Sequence, residues 1–291
     1  MSRIYDALKK LEAERRGAKS NGGGKTNGGG NGGGNGGGNG RNGGGNGKRN
    51  GNGRSRWRWP FGRTPHREAE PRVALDFRLG PEVEEAYQRL GTNLLVGPGA
   101  DAGPVPRLLG VTASSHGEGT TTTVAVFASI LVRRRSGRVC VVEANLRTPS
   151  CDAVFGVARN GGFAELIEGR VELPAVVQKT PIANLFVITC GQTSLGPSGL
   201  FDSAGMPVAL AKLREAFDFV LFDLPPANVY SDASILAARL DAALIVIEAD
   251  RTRIPEAERT RRSLERVGVR LVGSVLNRRR DYIPAFIEEL L

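Results

Sequence analysis

From residue 81 onward the chain alternates between two hydrophobic patterns. Short continuous apolar runs, RLLGVTA (107–113), GRVCVVEA (137–144), NLFVIT (184–189), DFVLFDLPP (218–226), DAALIVIEA (241–249) and VRLVGSVLN (269–277), read as strands. Between them lie segments whose apolar residues recur at helical spacing: PEVEEAYQRLGTNLLV (81–96), TTTTVAVFASILVRRR (120–135), GGFAELIEG (161–169), MPVALAKLREAF (206–217), SDASILAARL (231–240) and IPEAERTRRSLERVG (254–268). The strand runs are unbroken rather than alternating, so both faces of each strand are expected to be buried. Strand and helix taking turns predicts a doubly wound α/β fold, a mainly parallel sheet covered by helices on both sides.

The first 80 residues follow no such pattern. Ile4, Leu8 and Leu11 share one face of a helix expected over residues 1–17, with Ser2 as its N-cap. That helix is too short to stand alone in water and is expected to dock onto something. Residues 18–80 read as a linker: positions 21–54 hold 19 Gly and 9 Asn, which bury no apolar surface and gain nothing to offset the entropy of ordering. At its far end RSRWRWPFGR (54–63) interleaves arginine with Trp57, Trp59 and Phe61. This pattern suits a membrane surface, stacking on single-stranded nucleic acid, or packing against the domain that follows.

Charge sharpens this division. Residues 1–66 hold 14 Lys or Arg against 3 Asp or Glu, whereas residues 67–291 are balanced to within one charge, so the net +10 belongs to the N-terminal segment. A nucleic-acid-binding domain carries its basic residues on the fold, so nucleic acid is disfavoured as a partner, and the basic segment points instead to peripheral membrane contact. Cys140, Cys151 and Cys190 lack metal-ligand or redox spacing and read as small apolar fillers in a reducing compartment. His66 and His116, the only histidines, do not make a metal site. No run approaches the ~20 apolar residues of a membrane helix, and no signal region opens the chain, so a cytoplasmic protein is expected, reaching the inner face of the plasma membrane through a partner.

In a sheet of this kind ligands bind beyond the carboxyl ends of the strands. Three segments arrive there. SSHGEGTTTTV (114–124) joins the first strand to the next helix; Gly117 and Gly119 let backbone N–H groups turn inward, and the helix N-terminus favours an anion. VVEANLRTP (141–149) brings Glu143 and Arg147, and VLFDLPP (220–226) brings Asp223. An acidic residue ending a strand opposite a Gly-rich loop is what holding magnesium and its water requires. The bland alternative is a strand-to-helix turn that binds nothing. Asp232, in YSDAS, reads as a helix N-cap, and Arg278–Arg280 as a solvated basic face.

Residues 81–291 and the opening MSRIYDALKKLEAERR resemble the bacterial tyrosine kinases of capsule and exopolysaccharide synthesis, P-loop proteins related to the chromosome-partitioning and septum-site ATPases. LLGVTASSHGEGTTTTVAVFAS resembles their phosphate loop, EANLRTPS their second acidic motif, DFVLFDLPPANVYSDASIL their Walker B strand, and VGSVLNRRR the strand whose asparagine, here Asn277, sits near adenine. EAYQRLGTNLL resembles the helix with which that family forms rings. The resemblance implies ATP or ADP with magnesium as ligands, held by Gly117, Glu118, Gly119, Thr120, Thr121, Thr122 and Asn277, with Thr121 and Asp223 on the metal and Glu143 and Asp223 as the catalytic carboxylates. It also implies a membrane chain-length or co-polymerase protein as partner.

The departures from that pattern are as informative. The family's loop reads Gly-Glu-Gly-Lys; here Thr120 stands for the lysine whose ammonium compensates the β- and γ-phosphates. Glu143 stands for the first aspartate of the second motif and Asn145 for the second. In the ring helix Glu85 is kept, while Gln88 and Gly91 occupy arginine positions, so a monomer or weak oligomer is expected. Tyr282 is alone where the family carries a tyrosine cluster. The leading expectation is therefore a kinase-like component of a polysaccharide machine that binds nucleotide weakly or not at all, catalyses poorly and acts by docking. One alternative is an active tyrosine autokinase or ATPase in which an arginine, Arg147 or Arg251, replaces the lysine. Another is a partitioning-type ATPase relative that binds a surface or nucleic acid through its basic segment.

Overall fold

A computed structural model describes residues 79–96, 104–134 and 137–279. The helix expected over 1–17, nearly all of the linker over 18–80, the Trp57–Phe61 stretch, Arg280 and Tyr282 lie outside the described residues.

The chain runs α1 (Pro81–Val96), β1 (Leu108–Ala113), α2 (Thr120–Arg134), β2 (Val139–Glu143), α3 (Cys151–Phe155), α4 (Phe163–Ile167), α5 (Leu173–Val176), β3 (Gln178–Lys179), β4 (Leu185–Ile188), α6 (Pro197–Phe201), α7 (Gly205–Ala216), β5 (Phe219–Asp223), α8 (Ser231–Ala237), β6 (Ala242–Glu248), α9 (Ile254–Arg266) and β7 (Leu271–Asn277). The strands form one sheet in the order β3-β4-β2-β5-β1-β6-β7. All neighbours are parallel except the two-residue β3, which pairs antiparallel with β4 at the edge. The doubly wound α/β expectation is borne out. Six of the seven strands are the six apolar runs; β3 and the short helices α3, α5 and α6 are additions that too few residues define for any periodicity to reveal.

The side chains of each strand alternate between two cores. One packs Val139, Val141, Leu109, Val111 and Leu221 under α1, α2 and α3. The other packs Cys140, Val142, Val220 and Phe222 against α4, α6, α7, α8 and α9. The buried face of helix α2 is made largely of small and β-branched residues, with Phe127 stacked against Tyr87 of α1 at a ring separation of 6.4 Å. Gly91 of α1 faces this seam: a Cβ there would rest 3.7 Å from both Leu131 and Phe127.

Strand β7 departs from the expectation of two buried faces. It is the last strand of the sheet, with Ser274 exposed and Leu276 57% exposed. Its pairing with β6 slips at Ala243/Leu244, next to Gly273, whose φ of 155° lies toward the region favouring glycine. An edge strand has a neighbour on one side only, so an apolar run there does not imply full cover. Among the described residues no helix is long and apolar enough to cross a membrane.

Candidate functional site

The ends of β1, β2, β5 and β6 meet at one edge of the sheet, and Thr121, Glu143 and Asp223 lie there together. The loop after β1 starts the site. Gly117 and Gly119 adopt φ values of 82° and 91°, which side-chain-bearing residues rarely take. The bond from Thr123 N–H to Gly119 O, 2.9 Å, opens the helical ladder of α2, leaving the earlier N–H groups of the first turn outside it. An anion at that end meets both those donors and the helix dipole.

The loop is braced from three directions. Glu118 is 2% exposed and folds back. Its carboxylate accepts Ser114 N–H at 2.9 Å and the Thr252 hydroxyl at 2.7 Å. Asn277 donates its amide to Glu118 O at 2.9 Å, and a Cβ on Gly119 would come within 2.1 Å of that amide nitrogen. Gly119 is thus required twice, for its φ and for the approach of Asn277. Thr260 reaches the loop from α9, donating to Ser114 Oγ at 2.8 Å. Two of the residues expected at the nucleotide, Glu118 and Asn277, therefore use these groups to shape the loop.

Thr121 and Asp223 come together as expected. The Thr121 hydroxyl donates to Asp223 Oδ2 at 2.7 Å, and Ser150 Oγ stands 3.3 Å from Thr121 Oγ1. Asp223 is 1% exposed, and its second oxygen, Oδ1, is buried with no hydrogen-bond partner. Burial pushes its carboxyl up to about 7; the Thr121 hydrogen bond pulls the other way, and the nearby Glu143 charge raises it further. An orphaned carboxylate oxygen beside a hydroxyl fits a hard divalent cation. Among the described residues no cluster of three or more His, Cys, Asp or Glu could hold a metal, so the fit is to magnesium completed by water and phosphate oxygens. Thr120, half-buried, opens α2, and Thr122 is exposed on its first turn.

Glu143, at the end of β2, is held by backbone donors. One of its oxygens accepts Ser150 N–H at 2.5 Å and Cys151 N–H at 2.7 Å; the other accepts Cys190 N–H at 3.0 Å. At 1% exposure it ties the start of α3 and the end of β4 to β2. The extra methylene relative to aspartate provides that reach. Asn145 closes a local turn, donating to Thr148 Oγ1 at 3.0 Å and accepting Thr148 N–H at 3.2 Å. The cysteines are buried and free, as expected of fillers. Burial raises the thiols of Cys151 and Cys190, the latter to about 12, and Cys151 Sγ lies 3.8 Å from Asp223 Oδ2.

Two expectations need correction. Asp232 does not cap α8: it lies within the first turn, 1% exposed, accepting Arg147 Nε at 2.9 Å and also the Ser198 hydroxyl. Arg147 is committed there, its guanidinium 4.9 Å from the centre of the Tyr230 ring. The basic stretch after β7 is not simply solvated either, because Arg278 pairs with Glu248 at 2.8 Å. No local motif marks the brace residues Thr252 and Thr260, which lie 134 and 146 residues from their partners in the loop.

No protein-family model matches the chain. Curated relatives include the tyrosine-protein kinase CpsD of Streptococcus pneumoniae, 27% identical over 198 residues, spanning 68% of this chain and 85% of that protein. Another is the tyrosine-protein kinase YwqD of Bacillus subtilis, 26% identical, spanning 66% and 80%. Among solved structures, the kinase domain of the Escherichia coli tyrosine kinase ETK superposes with a TM-score of 0.61 at 25% identity, over 69% of this chain and 79% of that one. The chimerical protein CapA2B2 superposes with a TM-score of 0.65 at 22% identity, over 72% and 90%, and speaks for the fold. A cobyrinic acid a,c-diamide synthase with bound ADP and magnesium shares the fold at a TM-score of 0.51 and 20% identity, over 58% and 73%. The resemblance drawn from the motifs is borne out: the chain is a relative of the bacterial tyrosine kinases.

Proposed function

We propose that this chain is a tyrosine-kinase-like P-loop protein of capsule or exopolysaccharide synthesis whose phosphate loop is kept but whose chemistry is impaired, acting as a regulator or docking partner. The observation that carries this reading is the engagement of Glu143 by three backbone N–H groups. With three of its roughly four acceptor sites taken by backbone and the side chain 1% exposed, this carboxylate is poorly placed to act as base toward a substrate hydroxyl. Asn145 carries no charge, and Thr120 supplies a neutral donor where charge-assisted bonds are about twice as strong. Losing one well-placed transition-state donor costs on the order of 10²–10³ in rate.

Nucleotide binding rests on what remains. The N–H groups from Gly117 to Thr121 depend on chain path and not on residue 120, so they still favour phosphate. Thr121 and Asp223 would hold magnesium, which when bound offsets phosphate charge and orients the phosphate oxygens. The domain of residues 81–291 would follow a tether and a docking helix. The partner implied is a membrane chain-length protein, which would hold the chain at the inner face of the membrane. The active-autokinase alternative draws on the same Thr121–Asp223 pair and needs a cation from elsewhere in the fold.

The test is equilibrium dialysis of the full chain against labelled ATP with magnesium, followed by phosphate transfer to itself and to a tyrosine peptide. Weak binding without transfer is expected. Tight binding with autophosphorylation on tyrosine would establish the active enzyme instead.

A further inference from the structure

We infer that Arg251 supplies the positive charge the loop lacks at Thr120, approaching bound phosphate from the β6–α9 turn instead of from helix α2. This rests on the nucleotide reading above and deepens it.

Position comes first. Arg251 Nη2 donates to His116 O at 3.2 Å, and a Cβ on Gly117 would lie 3.3 Å from Arg251 Nη1. The guanidinium therefore rests against the stretch of loop whose N–H groups would cradle phosphate. The backbone that carries it is fixed to that same loop. Asp250, with φ of 60°, turns the chain sharply after β6. Thr252, on the other side of Arg251, donates its hydroxyl to Glu118 and accepts Glu248 N–H at 3.0 Å. The backbone of the turn is held while the Arg251 side chain is 56% exposed, so the guanidinium has room to turn without moving the fold.

Electrostatics point the same way. Glu248 bridges two arginines, Arg251 at 2.7 Å and Arg278 at 2.8 Å. Glu248 is thus shared, and neither guanidinium has that carboxylate to itself. A planar guanidinium offers donors along more than one edge, so Arg251 can keep Glu248 on one and take a phosphate oxygen on another. The other candidate, Arg147, is spent on Asp232 and Tyr230.

The test is calorimetric titration of the full chain with Mg-ATP, Mg-ADP and AMP for wild type, Arg251→Ala, Thr120→Lys and the double variant, with a melting curve for each. Arg251→Ala should weaken ATP by about ten- to a hundred-fold, the value of one charge-assisted contact, ADP by less and AMP hardly at all. The melting temperature should hold, because the Arg251 side chain is more than half exposed and surface ion pairs contribute little to stability. In the double variant Thr120→Lys should restore most of the lost ATP affinity. If wild type binds ATP and Arg251→Ala binds it equally well, this inference fails and the nucleotide reading stands. Equal losses for ATP, ADP and AMP, unrescued by lysine, would make Arg251 a brace of the loop and overturn its role as a charge. If neither wild type nor Thr120→Lys binds ATP, the nucleotide reading fails and takes this inference with it.

Discussion

Replacing Glu143 by alanine tests whether this carboxylate holds the fold together. The change orphans three donors, Ser150 N–H, Cys151 N–H and Cys190 N–H. A buried donor left unpaired costs about 1–3 kcal/mol. Relief from burying a charge at β2 offsets part of this. Taking the lower half of the range for each donor gives a loss of roughly 3–6 kcal/mol, a large share of the ~5–15 kcal/mol that stabilises a domain. Glu143→Gln is the finer probe. Its carbonyl oxygen can still accept Ser150 and Cys151, but its amide would then face the Cys190 N–H, donor against donor. One orphaned donor should cost about 1–3 kcal/mol, clearly less than alanine. Urea denaturation at neutral pH measures both, with the midpoint shifting and the slope unchanged if only stability moves. An alanine variant losing under about 1 kcal/mol would refute the structural assignment, because even one orphaned donor should exceed that.

Three further outcomes are expected. Asp223, raised to about 7 from its ordinary 3.8, holds a proton in the native state that the unfolded chain releases between those values. Its contribution to the stability of the metal-free protein is therefore full below the ordinary value, is lost as pH rises toward 7, and is flat above; thermal melts across this range should show the slope, and Asp223→Asn should remove it. Gly119→Ala should destabilise the loop through both its φ of 91° and the 2.1 Å clash with Asn277, and adding Asn277→Ala should recover only the steric share of the melting-temperature loss. In α1, Glu85 pairs with Arg89 at 2.6 Å, and Gln88 and Gly91 offer it no cation, so sedimentation should find a monomer or weak dimer, whereas a stable octamer-sized ring at micromolar concentration would contradict this.

The strands were legible because both-face burial leaves an unbroken apolar run, and the loop because glycine marks positive φ. What the pattern hid has common physical causes. Strand order is a long-range matter: β1 lies between β5 and β6, each more than 100 residues downstream, and no local periodicity encodes that. The run of β7 looked like the others, yet an edge position left its outer side chains open. Thr121 and Asp223 were found because their motif places them at a strand end and a helix start. Glu143 lies at the expected strand end, but its backbone partners were not legible, since which donors its longer side chain meets depends on α3 and the end of β4. Asp232 looked like a cap from its neighbours in sequence, but its partners, Arg147 and Ser198, come from other elements. Nothing local distinguishes Arg251 from Arg147; only the folded turn after β6 sets Arg251 against the loop.

A loop that keeps the geometry for phosphate but has lost the chemistry should reveal itself in single-turnover transfer of labelled phosphate from ATP by wild type and by Thr120→Lys, run at protein concentrations that saturate the nucleotide. Thr120→Lys should gain ATP affinity by Coulomb attraction to the terminal phosphates, yet stay slow in transfer, because Glu143 remains fastened to backbone and Asn145 uncharged. Rapid tyrosine phosphorylation by the wild-type chain would contradict the account.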